Sequence, residues 1–314
     1  MTERTRISVS ALQDLVAQVE SVIFGKPETV RRAVTTLLAG GHVLLEDVPG
    51  TGKTSLARAL ARSIGGSFQR VQFTADLLPS DVLGVNLYSM QRESFNFHQG
   101  PIFHNIVLAD ELNRTSPRTQ SCLLEAMSEG RVSVDGTTHD LPKPFFVIAT
   151  QNPVDFEGTY PLPESQLDRF LMRLSIGYPD RVASRKILNS PHLGREISEL
   201  KPVIDLAQLQ TFMRAVPKVD FDLSLNEYLL DLVDATRKSR RLALGASMRS
   251  AIDLRRASQA QAMLNGRNYV IPDDVKSLFV PVVAHRVLLA ALRETDLDTS
   301  DVLEEILEQV RIPA

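Results

Sequence analysis

The sequence predicts an α/β domain followed by an all-α domain. In the first half of the chain, short apolar runs typical of buried strands alternate with helical patterns of apolar residues. A strand, a Gly/Pro-rich loop and a helix follow one another around residue 50. After Asp180 the strand-like runs disappear and helical patterns dominate. We therefore assign residues 1–185 to the α/β domain and residues 186–314 to the helical domain.

The predicted strands are short and mostly apolar. Two alternating runs flank Asp135-Gly136, and Asp-Gly between such runs is a strong signal for a β-hairpin. The predicted strands are His42–Glu46, Phe68–Phe73, Ile106–Ala109, Arg131–Val134, Thr137–Leu141, Phe145–Thr150 and Phe170–Ile176.

The predicted helices follow the helical spacing of apolar side chains. Ser10 with Gln13 three residues later is a capping-box pattern, which predicts that the first helix begins at Ser10. The other predicted helices are Val30–Leu38, Thr54–Ile64, Pro117–Glu129, Val182–Leu188, Leu206–Val216, Asn226–Lys238, Arg249–Met263 and Asp273–Leu292.

Composition and charge restrict the class of protein. The chain has 314 residues, and its 43% hydrophobic and 23% charged residues are close to the average for globular proteins. Its 35 basic and 38 acidic residues give a formal charge of -3, so no overall basic excess favours nucleic acid as a partner. Cys122, the only cysteine, cannot form an intrachain disulfide. We expect a cytoplasmic protein without a signal peptide or membrane insertion.

A phosphate-binding loop is predicted between the strand His42–Glu46 and the helix that follows it. The string Pro-Gly-Thr-Gly-Lys-Thr has the strand–loop–helix context that the P-loop pattern requires. Glycines let backbone N–H groups approach phosphates closely, and the helix N-terminus adds positive potential. Lys53 is expected to reach the β- and γ-phosphates, and the Thr54 hydroxyl to bind Mg²⁺. The residues assigned to nucleotide binding here are Pro49, Gly50, Thr51, Gly52, Lys53, Thr54 and Ser55.

One position of this loop departs from the usual pattern. Asp47 stands five residues before Gly52, where the pattern has glycine. Aspartate can adopt unusual backbone angles, so the turn is feasible. The sequence does not show how a carboxylate so near a phosphate site is compensated. The alternative interpretation of the segment is an ordinary glycine turn capped by a basic residue.

Polar residues follow two of the buried strands. Asp110 and Glu111 come directly after Ile106–Ala109, and ligands of open α/β sheets bind at such carboxyl ends. Asp110 is expected to hold Mg²⁺ through water, and Glu111 to polarise the attacking water. Asn152 ends another strand and could orient the same water. The alternatives are a surface turn for the two acids and a turn-initiating Asn-Pro at Asn152.

Several strings in a fixed order resemble one family. They are Gly41–Glu46, Pro49–Thr54, Phe73–Asp81, Gly100–Phe103, Leu108–Arg114, Thr119–Glu129, Ala149–Pro153 and Leu162–Phe170. This combination resembles MoxR-family AAA+ ATPases from about Val22 to Asp180 and, more weakly, to about Leu289. The resemblance implies a P-loop NTPase core, an αβα sandwich with a parallel sheet, followed by a helical lid.

The resemblance also implies roles for individual residues. Asn152 falls on the sensor-1 position. Arg169 falls on the position of an arginine finger that reaches into the neighbouring subunit, with a surface salt bridge to Asp168 or Glu164 as the alternative. Arg249 matches a sensor-2 arginine through which the lid is expected to close on ATP.

Two details of the match concern the lid and the base of the nucleotide. The family usually has proline where this chain has Met248, which weakens the expectation for the geometry around Arg249 but not for its charge. The segment that resembles the lining of the adenine pocket contributes Val22, Ile23 and Gly25 to ATP binding.

The resemblance finally implies partners. Residues 79–100 resemble an insert in the second helix, and residues 131–141 resemble a pre-sensor-1 hairpin. Both face the pore in relatives, so they are candidates for gripping a partner, with plain loops as the alternative. We expect ATP, Mg²⁺, a homo-oligomeric, hexameric ring, and a protein client such as a von Willebrand factor A domain protein. A nucleotide-gated scaffold with weak hydrolysis and a DNA-acting motor are the alternative functions.

Overall fold

The computed structural model describes residues 3–91, 93–152, 159–190, 193–290 and 298–313. Within these ranges the strands are β1 Val43–Glu46, β2 Phe68–Gln72, β3 Gly84–Ser89, β4 Ser94–Gln99, β5 Ile106–Asp110, β6 Arg131–Val134, β7 Thr137–Asp140, β8 Phe146–Gln151, β9 Met172–Leu174, β10 Leu242–Leu244 and β11 Leu288–Leu289.

Helices make up most of the remaining structure. The α-helices are α1 Glu3–Glu20, α2 Pro27–Leu38, α3 Lys53–Ser63, α4 Pro79–Leu83, α5 Pro117–Glu129, α6 Glu164–Leu167, α7 Arg181–Asn189, α8 Leu193–Glu199, α9 Leu206–Ala215, α10 Leu223–Lys238, α11 Met248–Leu264, α12 Pro272–Val283 and α13 Thr299–Gln309. Short 3-10 turns lie at Leu112–Arg114, Val216–Lys218 and Ala284–Arg286.

Five strands form one parallel sheet in the order β2-β5-β8-β1-β9. The register pairs Glu46 of β1 with Gln151 of β8, and Gln72 of β2 with Asp110 of β5. The last residues of these four strands therefore lie along one edge of the sheet. The strands predicted for the first domain are confirmed, with bounds that differ by no more than two residues at either end.

Apolar side chains cover both faces of this sheet. Along β5, Ile106 and Leu108 belong to one cluster of buried apolar residues, whereas Val107 and Ala109 belong to another. This division follows from the period of a strand, in which successive side chains point to opposite faces. The first cluster includes side chains of α1, α2 and α3, and the second includes side chains of α5. Helices on both faces of a parallel sheet make the predicted αβα sandwich.

Two antiparallel hairpins, β3–β4 and β6–β7, contact each other beside the core. The Phe97 ring stacks on His139 with 3.9 Å between ring centroids, and the Asn86 amide donates to the Asp135 carboxylate at 2.8 Å. The hairpin predicted at residues 131–141 is confirmed. The insert at residues 79–100 forms α4 and the β3–β4 hairpin, and not the plain loop that was the alternative.

The region after Asp180 packs against the core through α2 and the edge strand β9. Helix α11 contacts α2, and α12 contacts β9. Leu254 and Leu278 belong to the same buried cluster as Val34, so the apolar core continues from the sheet into the helical region. No helix among the residues that the structure describes is long and apolar enough to cross a membrane.

Two predicted helix bounds differ from the observed ones by more than three residues and are wrong. Helix α1 begins at Glu3, which places Ser10 inside it, because no glycine or proline interrupts the residues before Ser10. Helix α12 ends at Val283, and Leu288–Leu289 instead pairs with Leu242–Leu244 as a small sheet. Periodicity cannot separate a short apolar strand from a buried helix. The predicted end of α12 at Leu292 lies outside the described residues.

Candidate functional site

The loop between β1 and α3 lies at the carboxyl edge of the sheet. Gly50 and Gly52 have φ angles of 85° and 98°, in the left-handed region, and Gly52 is the N-cap of α3. No atom lies within 4 Å of a Cβ added at either glycine, so the backbone angle and not crowding requires glycine. Free N–H groups at the start of a helix, next to an open loop, make an anion-binding site.

Lys53 lies across this loop. Its Nζ donates to the Asp47 carbonyl oxygen at 2.8 Å and lies 3.4 Å from the Val48 carbonyl oxygen. These two acceptors are neutral, so an anionic phosphate in the loop would be a stronger partner for the ammonium group.

The carboxylate of Asp47 is turned away from the loop. It accepts hydrogen bonds from the Ser175 hydroxyl at 2.8 Å, the Ile176 N–H at 2.6 Å and the Gly177 N–H at 2.8 Å. Asp47 is buried, and these three donors compensate its charge. The carboxylate that stands in place of glycine therefore fastens the start of the loop to the segment after β9.

One hydroxyl orients both predicted acids. The buried Thr150 Oγ1 donates to Asp110 Oδ1 at 2.6 Å and accepts from the Glu111 N–H at 2.8 Å. Glu111 has a φ of 57°, a left-handed angle that is uncommon outside glycine, and its N–H bond to Thr150 helps to hold it there. Sequence reasoning did not single out Thr150, although its position as the polar end of a buried apolar run was a usable signal.

Strand β2 supplies two further side chains to the acids. Arg70 donates to Asp110 Oδ2 from Nε at 2.9 Å and from Nη2 at 2.6 Å. Gln72 donates to Glu111 Oε2 at 2.7 Å and accepts from Arg70 Nη2 at 2.9 Å. Sequence reasoning also missed these residues. Their spacing of two along a strand, which puts both on one face, was the available signal.

These groups surround an open pocket of about 360 Å³. The loop and both acids line this pocket, which has space for phosphates. Its described lining is Pro49, Gly50, Gly52, Lys53, Thr54, Ser55, Arg70, Asp110, Glu111 and Asn152. The structure thus brings together most of the residues predicted for the loop, the acids and the sensor-1 position. The Thr51 hydroxyl instead lies 3.4 Å from the Val48 carbonyl, and Pro153 lies outside the described residues.

The donor set in this pocket fits a magnesium ion. The Thr54 hydroxyl and the Asp110 carboxylate are hard oxygen ligands that line one cavity. In the described part of the chain no group of three or more His, Cys, Asp or Glu side chains is placed to hold a metal. Magnesium does not need such a group, because it usually keeps several waters and binds substrate phosphates with one or two carboxylates.

The segment predicted to contact adenine lies beside the start of α7. Val22 and Ile23 are buried in the core. Gly25 has a φ of 73°, and a Cβ there would lie 2.9 Å from the Cβ of Ala183. Lys26 Nζ donates to the Tyr178 carbonyl at 2.8 Å. The segment therefore packs against the same loop after β9 that Asp47 holds.

Arg169 and Arg249 line a different pocket, of about 200 Å³. Arg169 donates to the Ser128 hydroxyl, and Arg249 Nε lies 3.4 Å from Asp168 Oδ2. His42, just before β1, also lines this pocket, whereas the P-loop follows β1. The two arginines therefore lie at the amino edge of the sheet, and the acids lie at its carboxyl edge. The described linings of the two pockets share no residue.

The start of α11, which carries Arg249, is well defined without proline at Met248. The Ser247 hydroxyl accepts from the Ser250 N–H at 3.3 Å and caps the helix. The Ala246 N–H donates to the Thr236 hydroxyl at 2.9 Å, which fixes the preceding residue to α10.

His42 joins this amino edge to α5. Its Nδ1 accepts from the Val147 N–H at 3.0 Å, so the proton of the neutral ring is on Nε2, which donates to the Met127 carbonyl at 3.0 Å. Burial lowers the pKa of His42 to about 4, partly offset by the bond to Met127. The ring is thus neutral at physiological pH and serves as a structural link.

Comparisons with known proteins agree with this fold. Residues 42–172 match the model of the ATPase family associated with various cellular activities (AAA), and residues 234–306 match the AAA lid domain. A crystal structure of a candidate ATPase from Cytophaga hutchinsonii superposes with a TM-score of 0.92 at 35% identity, covering 99% of this chain and 98% of that one. The protein is therefore a P-loop ATPase of the AAA class with a helical lid.

Similarity to individual proteins identifies the family within this class. The chain is 48% identical to the uncharacterised protein YeaC of Bacillus subtilis, over 95% of this chain and 93% of that protein. It is 38% identical to Chaperone MoxR1 of Mycobacterium tuberculosis, over 97% and 83%, and 32% identical to Protein MoxR of Paracoccus denitrificans, over 90% of each. The chain belongs to the MoxR family of AAA+ ATPases, and it binds nucleotide and hydrolyses ATP.

Proposed function

We propose that this ATPase works with Mg²⁺ in a homo-oligomeric ring and uses ATP hydrolysis to remodel a protein client. The observation that carries the ring is the position of the arginines. Arg169 and Arg249 lie at the amino edge of the sheet, and the pocket with Asp110 and Glu111 lies at the carboxyl edge of the same subunit. A catalytic site that needs both the arginines and the acids therefore has to form between two subunits, with the acids from one and the arginines from the other.

Within one subunit, the loop binds the phosphates, and the residues at the strand ends bind the metal and activate the water. The backbone N–H groups at Gly50–Thr54 bind phosphate oxygens, and Lys53 exchanges its carbonyl partners for the β- and γ-phosphates. Thr54 and Asp110 hold Mg²⁺, which when bound neutralises charge on the phosphates. Glu111 accepts a proton from the attacking water, and Asn152 orients that water.

The neighbouring subunit supplies the cations. Arg169 contacts the γ-phosphate of the adjacent pocket, where a finger of this kind raises the rate by about 10³–10⁵. Arg249 lines the same pocket as Arg169. This position favours a contact between Arg249 and the nucleotide of the neighbouring subunit, rather than closure of the lid on the nucleotide of the same subunit. Hydrolysis removes the γ-phosphate that these arginines contact, so the subunits repack.

The two hairpins are the proposed contacts with the client. Leu87, Tyr88, Met90 and Phe95 are exposed large apolar side chains on or next to β3 and β4. Exposed apolar groups of this kind are suited to gripping other chains. The 38% identity to a protein named as a chaperone supports a protein client. A hexameric ring and a von Willebrand factor A domain partner remain part of the proposal.

Neither alternative function gains support. Asp47 was the one sequence feature in favour of a scaffold with weak hydrolysis, and its carboxylate faces Ser175–Gly177 and not the phosphate loop. The β6–β7 hairpin offers few cations to nucleic acid, with Ser133, Asp135, Thr137 and Asp140 along it.

A subunit-mixing experiment tests the shared site. Glu111→Gln and Arg169→Ala should each bind nucleotide and each lack phosphate release alone. When the two are mixed, an Arg169→Ala subunit offers an intact Glu111 to the intact Arg169 of a Glu111→Gln neighbour. Phosphate release should then return at about a quarter of the interfaces of a random one-to-one mixture. No recovery from two folded, ring-forming variants contradicts the shared site.

A further inference from the structure

Arg70 holds the carboxylate that is expected to bind magnesium. Both oxygens of Asp110 already have donors: Thr150 Oγ1 is 2.6 Å from Oδ1, and Arg70 Nη2 and Nε are 2.6 Å and 2.9 Å from Oδ2. The Asp110 side chain is 12% exposed, so its charge is compensated mainly by these two residues. Oδ2 is the oxygen that the guanidinium shields.

A divalent cation and a guanidinium cannot both have full use of one carboxylate oxygen. Three of the roughly four acceptor positions of Asp110 are already used, so a magnesium ion near Thr54, directly or through its water, competes for the carboxylate and is repelled by the guanidinium beside it. We propose that Arg70 competes with Mg²⁺ for Asp110 and thereby sets the magnesium concentration at which the nucleotide site is loaded. The inference rests on the proposed function, since it assumes that Asp110 serves Mg²⁺-ATP.

The surroundings of Arg70 allow it to exchange partners. Its side chain is 50% exposed and lines the open pocket, so movement of the guanidinium does not disturb the core. Its Nη2 also donates to Gln72 Oε1, which provides an acceptor after Asp110 is released. Anionic phosphates in the same pocket are a further partner for the released charge. Arg70 is thus a positioning residue that acts on Asp110, and it keeps this carboxylate paired while no metal is bound.

The test measures magnesium dependence and not turnover. A fluorescent, non-hydrolysable ATP analogue is bound to the full-length protein, and Mg²⁺ is titrated from an EDTA-treated start. For Arg70→Ala, the half-saturating Mg²⁺ concentration should fall about tenfold, which is the lower end of the range by which a neighbouring opposite charge changes the affinity of a carboxylate for its proton. Arg70→Gln should behave in the same way, and Arg70→Lys should lie between Arg70→Ala and the wild type.

The matched control removes an arginine elsewhere. Arg62 is exposed at the end of α3 and does not line the pocket, so Arg62→Ala should keep the wild-type half-saturation. An unchanged or higher magnesium requirement in folded Arg70→Ala and Arg70→Gln overturns the inference and leaves the proposed function intact. If the wild type itself shows no Mg²⁺-dependent binding of the analogue, the proposed function fails instead.

Discussion

Arg286 donates from Nη2 to the carbonyl of Phe170 at 2.8 Å, which joins the lid to the residue after Arg169. The Arg286 side chain is only 2% exposed. Its Nη1 lies 2.8 Å from Asp253 Oδ2 and 3.4 Å from Asp168 Oδ1. One buried guanidinium therefore connects both flanks of Arg169 to α11, the helix that carries Arg249.

We expect Arg286→Met to destabilise the protein by about 3 kcal/mol, because two partly buried carboxylates lose the buried guanidinium between them and keep only the half-exposed Arg249 nearby. It should also lower phosphate release at temperatures where the variant is folded, since Arg169 loses its support. Chemical denaturation gives the free energy of unfolding.

Arg241→Met is the control for this prediction. Arg241 pairs with Glu305 on the surface, and its loss should change stability by less than about 1 kcal/mol. Equal effects of the two substitutions would contradict this account.

Asp47 offers a test of the loop anchor. Asp47→Ala leaves the N–H groups of Ile176 and Gly177 without their acceptor, and we expect a loss of about 2 kcal/mol in stability. Nucleotide affinity should fall as well, because the start of the phosphate loop is released from the segment after β9. Thermal unfolding and nucleotide titration measure the two effects. Asp14→Ala, on the exposed face of α1, should change neither.

Thr150 should be needed for catalysis more than for folding. Thr150→Val keeps the shape of the side chain but removes the hydroxyl that bonds Asp110 and the Glu111 N–H. We expect phosphate release to fall at least about tenfold, with a loss of about 1–3 kcal/mol in stability from the unpaired groups. Thr150→Ser should retain most of the activity. If Thr150→Val and Thr150→Ser have the same rate, the hydroxyl does not orient the acids.

Because the His42 ring is buried, we expect the free energy of unfolding to depend on pH. Burial lowers its pKa from 6.5 to about 4, so the folded state favours the neutral ring. The stabilisation is fully present above pH 6.5 and is lost as the pH falls towards 4, and it amounts to about 3 kcal/mol over this interval. Burial also lowers the pKa of His285, which acts in the same direction. Urea denaturation of wild type and His42→Gln from pH 7.5 to 4.5 should show a smaller slope for the variant, whereas parallel curves would contradict the role of His42.

Local sequence patterns were enough to predict the main helices and strands, and also the phosphate loop and the two acids of the site. The loop Pro49–Ser55, the acids Asp110 and Glu111 at the end of β5 and the Asp135-Gly136 hairpin were all predicted from residues within a few positions of one another. The end of α12 could not be predicted this way, because Leu288–Leu289 becomes a strand only through Leu242–Leu244, more than 40 residues earlier in the chain. For the same reason, the sequence showed that Asp47 breaks the pattern but not what compensates its charge.

The sequence by itself determined that this chain has a phosphate loop, two acids at a strand end and a helical second region, since spacing along the chain encodes each of them. Only the tertiary structure decided which groups meet. Thr150 reaches Asp110 across 40 residues and Ser175 reaches Asp47 across 128, because parallel strands that are distant in sequence end at one edge of the sheet. The same geometry carries Arg169 and Arg249 to the opposite edge. A parallel sheet has two ends, and the order of residues along a chain does not say at which end a distant side chain will lie.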